Sequence, residues 1–139
     1  MKTITKNLVL FSLVLIILTI LLRYALSFSL QNQHFNSVWL IAVLYGLIVF
    51  VFGWIFGKRD NESLPLYDIG FRFHVATYFI CNVIAELWYL LELQSDYEKI
   101  KVVHLTVLFW GIGLFIHFIF YLNTRKNVIK GLKKSEIFE

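Results

Sequence analysis

The chain has 139 residues, of which 59% are hydrophobic and 16% are charged, and its mean hydropathy is +0.73. A water-soluble domain of this size cannot bury so large an apolar fraction, so we expect most of the chain to lie in lipid. Four membrane crossings of about 20 residues each leave few residues for a separate soluble catalytic domain. The net charge of +4 comes mainly from residues beside apolar segments, so no nucleic-acid partner is expected.

Four apolar segments span residues 8–30, 38–56, 73–93 and 102–122, and each is long enough to cross the membrane as a helix. The sequence therefore predicts an all-α integral membrane protein, a four-transmembrane-helix bundle forming a single domain over residues 1–139. The basic tail, residues 123–139, is predicted to be either solvated or a short amphipathic helix on the membrane surface. Cys81, the single cysteine, lies in an apolar segment and is interpreted as a packing residue.

Basic residues predict the orientation, because Lys and Arg beside short loops are retained on the cytoplasmic side. In a four-crossing topology ten of the thirteen fall on one side: Lys2, Lys6, Lys58, Arg59, Arg72, Arg125, Lys126, Lys130, Lys133 and Lys134. Only Lys99 and Lys101 fall on the other side, and Arg23 lies inside the first segment. We therefore expect both termini in the cytoplasm. A cleaved signal peptide is the alternative for the first segment, since Ala25-Leu26-Ser27 resembles a cleavage site.

Small residues recur along one face of the second segment at intervals of four and seven, namely Ala42, Gly46, Gly53 and Gly57. Such a face lets another helix approach closely. The pattern predicts packing within the bundle or, as the alternative, contact with a second copy of the chain.

Polar residues follow one another along one face of the third segment at intervals of four: His74, Tyr78, Asn82 and Glu86. The fourth segment carries His104 near its outer end and, on one face, Trp110, Gly113, His117 and Tyr121. Because the two segments are predicted to be antiparallel, we expect His74 and His117 to meet, with Gly113 allowing the close approach. Ionisable groups inside a membrane usually pair or line a functional site.

This polar face has three interpretations. In one, His74 and His117 ligate a metal or a haem within the bundle. In another, the same residues form hydrogen bonds that fix the register of the helices, and no cofactor is bound. In the third, Arg23, Asn82 and Glu86 line an oligomeric pore.

Arg23 and Glu86 lie at a similar depth in their segments, so we expect them to pair across the bundle. The alternative is that Arg23 extends to the outer headgroups. No HExxH, GxSxG, Walker or CxxC pattern occurs in the sequence, so no enzymatic activity and no catalytic residue is expected.

Two short motifs resemble those of the bacterial 2TM domain family, a two-helix membrane hairpin. The first is His74, Tyr78 and Asn82 in the pattern H-x-x-x-Y-x-x-x-N, and the second is Trp110-Gly111-Ile112-Gly113-Leu114 followed by His117. The resemblance covers residues 67–122, and Gly111 and Gly113 belong to its packing face. It implies an inner-membrane hairpin, which in relatives is sometimes attached to signalling or DNA-binding domains.

The sequence as a whole thus predicts a small multi-pass inner-membrane protein that acts as a non-enzymatic sensory or interaction module. Its expected partners are the lipid bilayer and either a second copy or another membrane protein. The alternatives are a haem- or metal-binding redox protein and a pore.

Overall fold

The computed structural model describes residues 4–61 and 65–131 of the chain. These residues form four helices and no strand: α1 (Lys6–Gln31), α2 (Phe35–Asp60), α3 (Leu66–Leu90) and α4 (Ile100–Gly131). Each helix is long and apolar enough to cross a membrane. The prediction of four apolar helices is therefore confirmed. The end of the predicted basic tail, residues 132–139, lies outside the described residues.

The helices extend past the predicted segments where the sequence becomes polar. α2 continues to Asp60 rather than ending at residue 56, and its last turn carries Lys58 and Arg59. Cations there interact favourably with the carbonyl end of the helix dipole, so the polar residues continue the helix. α3 begins at Leu66 rather than at residue 73, directly after Pro65, which has extended backbone angles and caps the helix.

α1 and α3 end in the same cap, which lacks the usual glycine. Gln33 and Glu92 have positive φ values of 59° and 55°. In α1 the N–H of Gln33 donates to Leu30 O and the N–H of His34 donates to Ser29 O, which is the Schellman pattern. The same pair of bonds recurs at Glu92 and Leu93. Both helices therefore stop sharply at the end of the bundle that we call the loop end, where the α1–α2 and α3–α4 connections lie.

α1 and α3 form the centre of the bundle. α1 packs against α2 and α3, α2 also touches α3, and α4 packs against α3 alone among the described helices. The buried core consists of two residues from α1, Phe11 and Leu15, and two from α3, Ile69 and Phe73. The most apolar stretches of α2 and α4 contain no buried residue. The helix order around the bundle is thus α2, α1, α3, α4, with α2 and α4 apart.

The glycines differ in what they contact. A Cβ added to Gly111 would lie 3.0 Å from Tyr78 Oη, whereas one added to Gly113 would meet nothing within 4 Å. The close approach of α3 and α4 therefore occurs at Gly111, and the expectation for Gly113 is wrong. On α2, Gly53 and Gly57 face Phe11 and Ile69, at 3.8 and 3.5 Å from an added Cβ.

The other two members of the predicted small-residue face, Ala42 and Gly46, are exposed. An added Cβ on Gly46 would also meet nothing within 4 Å. Only half of that face is used for packing within the bundle.

The contrast between the two α4 glycines gives a test. A Gly111→Leu substitution places a side chain against Tyr78, and overpacking of this kind costs about 1–3 kcal/mol. The matched Gly113→Leu substitution enters open space and should change the free energy of unfolding by less than about 0.5 kcal/mol. Unfolding of the purified protein in mixed micelles measures both. Equal losses in the two variants would show that Tyr78 does not limit the approach of the helices.

Candidate functional site

His74 and His117 meet on the facing sides of α3 and α4, as the sequence predicts. Their ring centroids are 5.0 Å apart and the ring planes are inclined by 50°. Phe71 stacks on His117 at 5.9 Å on the same side. The described residues form no hydrogen bond with either imidazole, so the register-fixing hydrogen bonds of the second interpretation are not found at these two rings. A haem ligated by both rings would need to lie between them, and in this arrangement they are in contact.

Tyr78 belongs to the first of the two motifs that resemble the 2TM domain family, and it contacts the helix that carries the second. Its hydroxyl donates to Val107 O at 3.1 Å, and its ring makes an edge contact with Trp110 at 5.7 Å. Asn82 does not cross to α4, because its side-chain amide donates to Tyr78 O on its own helix at 2.7 Å. Tyr121 also binds away from the histidines, since its hydroxyl donates to Asp68 Oδ1 at 3.2 Å.

Glu86 lies beside His104, and this contact is partly exposed. His104 Nε2 is 3.3 Å from Glu86 Oε1, and the two side chains are 60% and 43% exposed. Glu86 is therefore neither deeply buried nor paired with Arg23. The expected Arg23–Glu86 pair is wrong.

Arg23 instead pairs with Glu98, a residue of the α3–α4 loop. Arg23 Nη2 donates to Glu98 Oε2 at 2.7 Å, and the side chains are only 13% and 8% exposed. Ser27 donates to the other carboxylate oxygen, which also accepts the Ser95 N–H at 3.1 Å. The alternative that Arg23 extends to the headgroups is not what the structure shows, because the loop folds inward and supplies the partner.

A second polar contact joins α1, α2 and α3 nearer the middle of the bundle. Thr19 Oγ1 donates to Leu15 O at 2.7 Å and lies 2.9 Å from Tyr45 Oη, which in turn is 3.1 Å from Cys81 Sγ. Since the Thr19 hydrogen is used by the carbonyl, Tyr45 donates to Thr19 and its oxygen is left to accept from the thiol. Cys81 is thus part of an interhelical contact as well as a packing residue.

A third polar contact lies at the opposite end of the bundle from the loops, which we call the basic end because it carries Lys58, Arg59 and Arg72. Asp60, the last residue of α2, is 3% exposed. Thr5 and Asn7, at the start of α1, donate to its two carboxylate oxygens. The start of α1 and the end of α2 are therefore held together.

The separation of α2 from α4 leaves an open groove, which we call the α2/α4 groove. Its floor is formed by α3 and Phe11, and its volume is about 630 Å³. It is lined by Phe11, Gly46, Val49, Phe50, Gly53, Trp54, Gly57, Lys58, Asn61, Ile69, Gly70, Phe73, His74, Thr77 and Trp110. The walls are mainly apolar, and the charged residue among them is Lys58, at the basic end.

A smaller cavity of about 220 Å³ lies toward the loop end. Arg23, Tyr45 and Asn82 are among its lining residues. Trp110 lies in the walls of both this cavity and the α2/α4 groove. The two spaces therefore adjoin at the indole.

The described residues contain no group of three or more His, Cys, Asp or Glu side chains placed to hold a metal ion. A metal at His74 and His117 would have two protein ligands from this chain and would need others from elsewhere. Comparison with protein families, curated proteins and solved structures found no match for this chain. The 2TM domain resemblance accordingly stays an expectation.

Several polar residues of these contacts were not predicted from the sequence. Glu98 and Asp60 each lie at or beyond a helix end, where a carboxylate is ordinarily solvated. The only sequence signal for Glu98 was the presence of Arg23 in an apolar segment, which requires an acidic partner at some position. Thr19 and Tyr45 had no signal, because single hydroxyl groups are common in membrane helices.

The Arg23–Glu98 assignment is testable with a double-mutant cycle. Removal of either partner leaves a buried charge uncompensated, so Arg23→Met and Glu98→Gln should each destabilise the protein and should show a coupling energy above about 1 kcal/mol. The matched cycle replaces Glu98→Gln with Glu86→Gln, for which the effects should add to within about 0.5 kcal/mol. Unfolding in mixed micelles gives both values. Coupling to Glu86 rather than to Glu98 would contradict the assignment.

Proposed function

We propose that this chain is a non-enzymatic interaction module of the inner membrane, with both termini cytoplasmic, that binds a membrane component in the α2/α4 groove. The four apolar helices and the excess of basic residues at one end support the location and the orientation. In this orientation Lys58 and the basic end face the cytoplasm. The component reaches the groove sideways, from the lipid.

The observation that carries this proposal is the groove itself. Its volume of about 630 Å³ lies within the range of about 300–1,000 Å³ that is usual for ligand sites. Such sites have mainly apolar and aromatic walls with a few polar groups, and here Lys58, Asn61, His74 and Thr77 are the polar groups.

The preformed shape supports binding rather than simple lipid contact. A helix that only faces lipid presents a convex surface, whereas α2 and α4 stand apart over the floor formed by α3. Gly46 and Gly53 present no side chain at their positions on the α2 wall. A component of the membrane can therefore lie between the two helices.

A photoreactive phenylalanine analogue tests the groove. It is placed at Phe50, a groove residue that is 67% exposed, or at the matched control Phe115, which is 63% exposed and lines neither space. Irradiation in native membranes should yield one dominant adduct mass at Phe50 and a mixture of bulk lipids at Phe115. A second substitution, Gly46→Phe, fills the groove without a clash at its Cβ and should abolish the dominant adduct. The same adducts at both positions would contradict the proposal.

A second candidate is metal binding at His74 and His117, which is favoured by the 5.0 Å ring separation and by the absence of hydrogen bonds from the described residues to either imidazole. Neutral imidazole nitrogens of this kind are common ligands of transition metals. Two ligands from the chain leave the other coordination positions for water or for a molecule in the groove, which His74 also lines.

Visible absorption and elemental analysis of the purified protein test this second candidate. A metal present in stoichiometric amount should be lost equally from His74→Ala and His117→Ala, and should be retained in His104→Ala, the matched control. A colourless and metal-free protein, or loss in the control as well, would rule it out.

A further inference from the structure

The polar groups of the α2/α4 groove are distributed unevenly. The residues at its basic end are Lys58 and Asn61, and beyond them the α2 wall consists of Gly57, Trp54, Gly53 and the apolar residues up to Gly46. None of the lining residues carries a negative charge. The groove is therefore cationic at one end and mainly apolar along the rest of its length, where His74 and Thr77 on α3 are the polar groups.

Lys58 is exposed and has no ion pair among the described residues. Among the described residues, the two carboxylates nearest to it in sequence, Asp60 and Asp68, do not line the groove. Asp60 accepts hydrogen bonds from Thr5 and Asn7, and Asp68 is 2.6 Å from Arg72. Among the described residues, no carboxylate therefore competes with a negatively charged ligand for the ammonium group at the groove mouth.

The groove has the length of one membrane leaflet. From Lys58 to Gly46 the α2 wall measures about 18 Å by helix rise, against about 15 Å for half of the hydrocarbon core. The Lys58 ammonium at one end and the mainly apolar walls over the length of one leaflet match the anionic headgroup and the acyl chain of a phospholipid.

We propose that the α2/α4 groove binds an anionic phospholipid. The headgroup phosphate lies at Lys58 and Asn61, and one acyl chain runs along the glycines of α2 toward Trp110. Basic pockets between membrane helices bind anionic headgroups in this way. This inference rests on the proposed function and specifies its ligand.

The test measures lipid retention by native mass spectrometry of the purified full chain in detergent. Phosphatidylglycerol and phosphatidylcholine with identical acyl chains are added at equal concentration. Retention should favour phosphatidylglycerol, and Lys58→Gln should weaken it about fivefold, as expected for loss of one basic contact. The matched control is Arg59→Gln, which removes the same charge from the next residue, whose guanidinium lies over Phe56 and does not line the groove. It should retain phosphatidylglycerol like the parent protein.

The outcomes separate this inference from the proposed function. Equal losses in Lys58→Gln and Arg59→Gln would show general attraction to a basic surface and would overturn the inference. Equal retention of the two lipids, abolished by Gly46→Phe, would also overturn it while leaving a lipid-binding groove. A protein adduct at Phe50 in the photoreactive experiment would show that a partner helix, and not a lipid, occupies the groove, and would overturn the inference. Lipid retention that is unaffected by Gly46→Phe, together with identical adducts at Phe50 and Phe115, would overturn both the inference and the proposed function.

Discussion

In the membrane location proposed for this chain, helices gain no hydrophobic energy by associating, so polar contacts and close packing at small residues decide which helices are neighbours. In this chain α1 carries most of the polar contacts between elements. Thr5 and Asn7 bind the end of α2, Thr19 binds its middle, and Arg23 binds the α3–α4 loop. α4 makes polar contacts with other helices through Val107, Tyr121 and His104. Among the described residues, these contacts are all with α3. The order α2, α1, α3, α4 follows from this distribution, and so does the groove between the first and the last.

The two ends of the bundle differ because only one is crossed by a long connection. At the loop end, the α3–α4 loop folds over α1, where Gln31 exchanges two hydrogen bonds with Asp96 and Gln33 donates to Tyr97. Glu98 enters the bundle from the same loop and neutralises Arg23. At the basic end, the contact of Asp60 with the start of α1 draws α2 toward α1 and away from α4. The groove is consequently open where the lysine lies and bounded toward the loop end by Trp110.

The sequence predicted those features that depend on composition and on spacing along a single helix. The four apolar helices, the shared face of His74 and Tyr78, and the meeting of His74 with His117 all follow from hydropathy and from the helical repeat. The predicted pairing of Arg23 with Glu86 was wrong. Similar depth in two segments places two residues at the same level of the bundle but does not make them neighbours, and a loop residue such as Glu98 can fold inward. The close approach occurs at Gly111 rather than at Gly113 because of the rotation of α4 about its own axis, and the spacing of residues along the sequence does not determine that rotation.

The α2/α4 groove could not be predicted from the sequence for a related reason. α2 is apolar on every side, so its sequence does not distinguish a face that packs on α1 from a face that lines an open space. Its glycines suggested one continuous packing face, yet Gly53 and Gly57 contact the neighbouring helices while Gly46 contacts nothing.

His74 belongs both to the imidazole pair and to the wall of the α2/α4 groove, so the two candidate functions are physically connected. A metal bound to His74 would take the lone pair of one ring nitrogen. Because the ring lines the groove, a molecule in the groove would contact the same ring. Either occupant therefore changes the surroundings of the other. Lys58 lines the groove, whereas Phe71 stacks on His117 and does not line the groove, so substitutions at these two positions act on one candidate at a time.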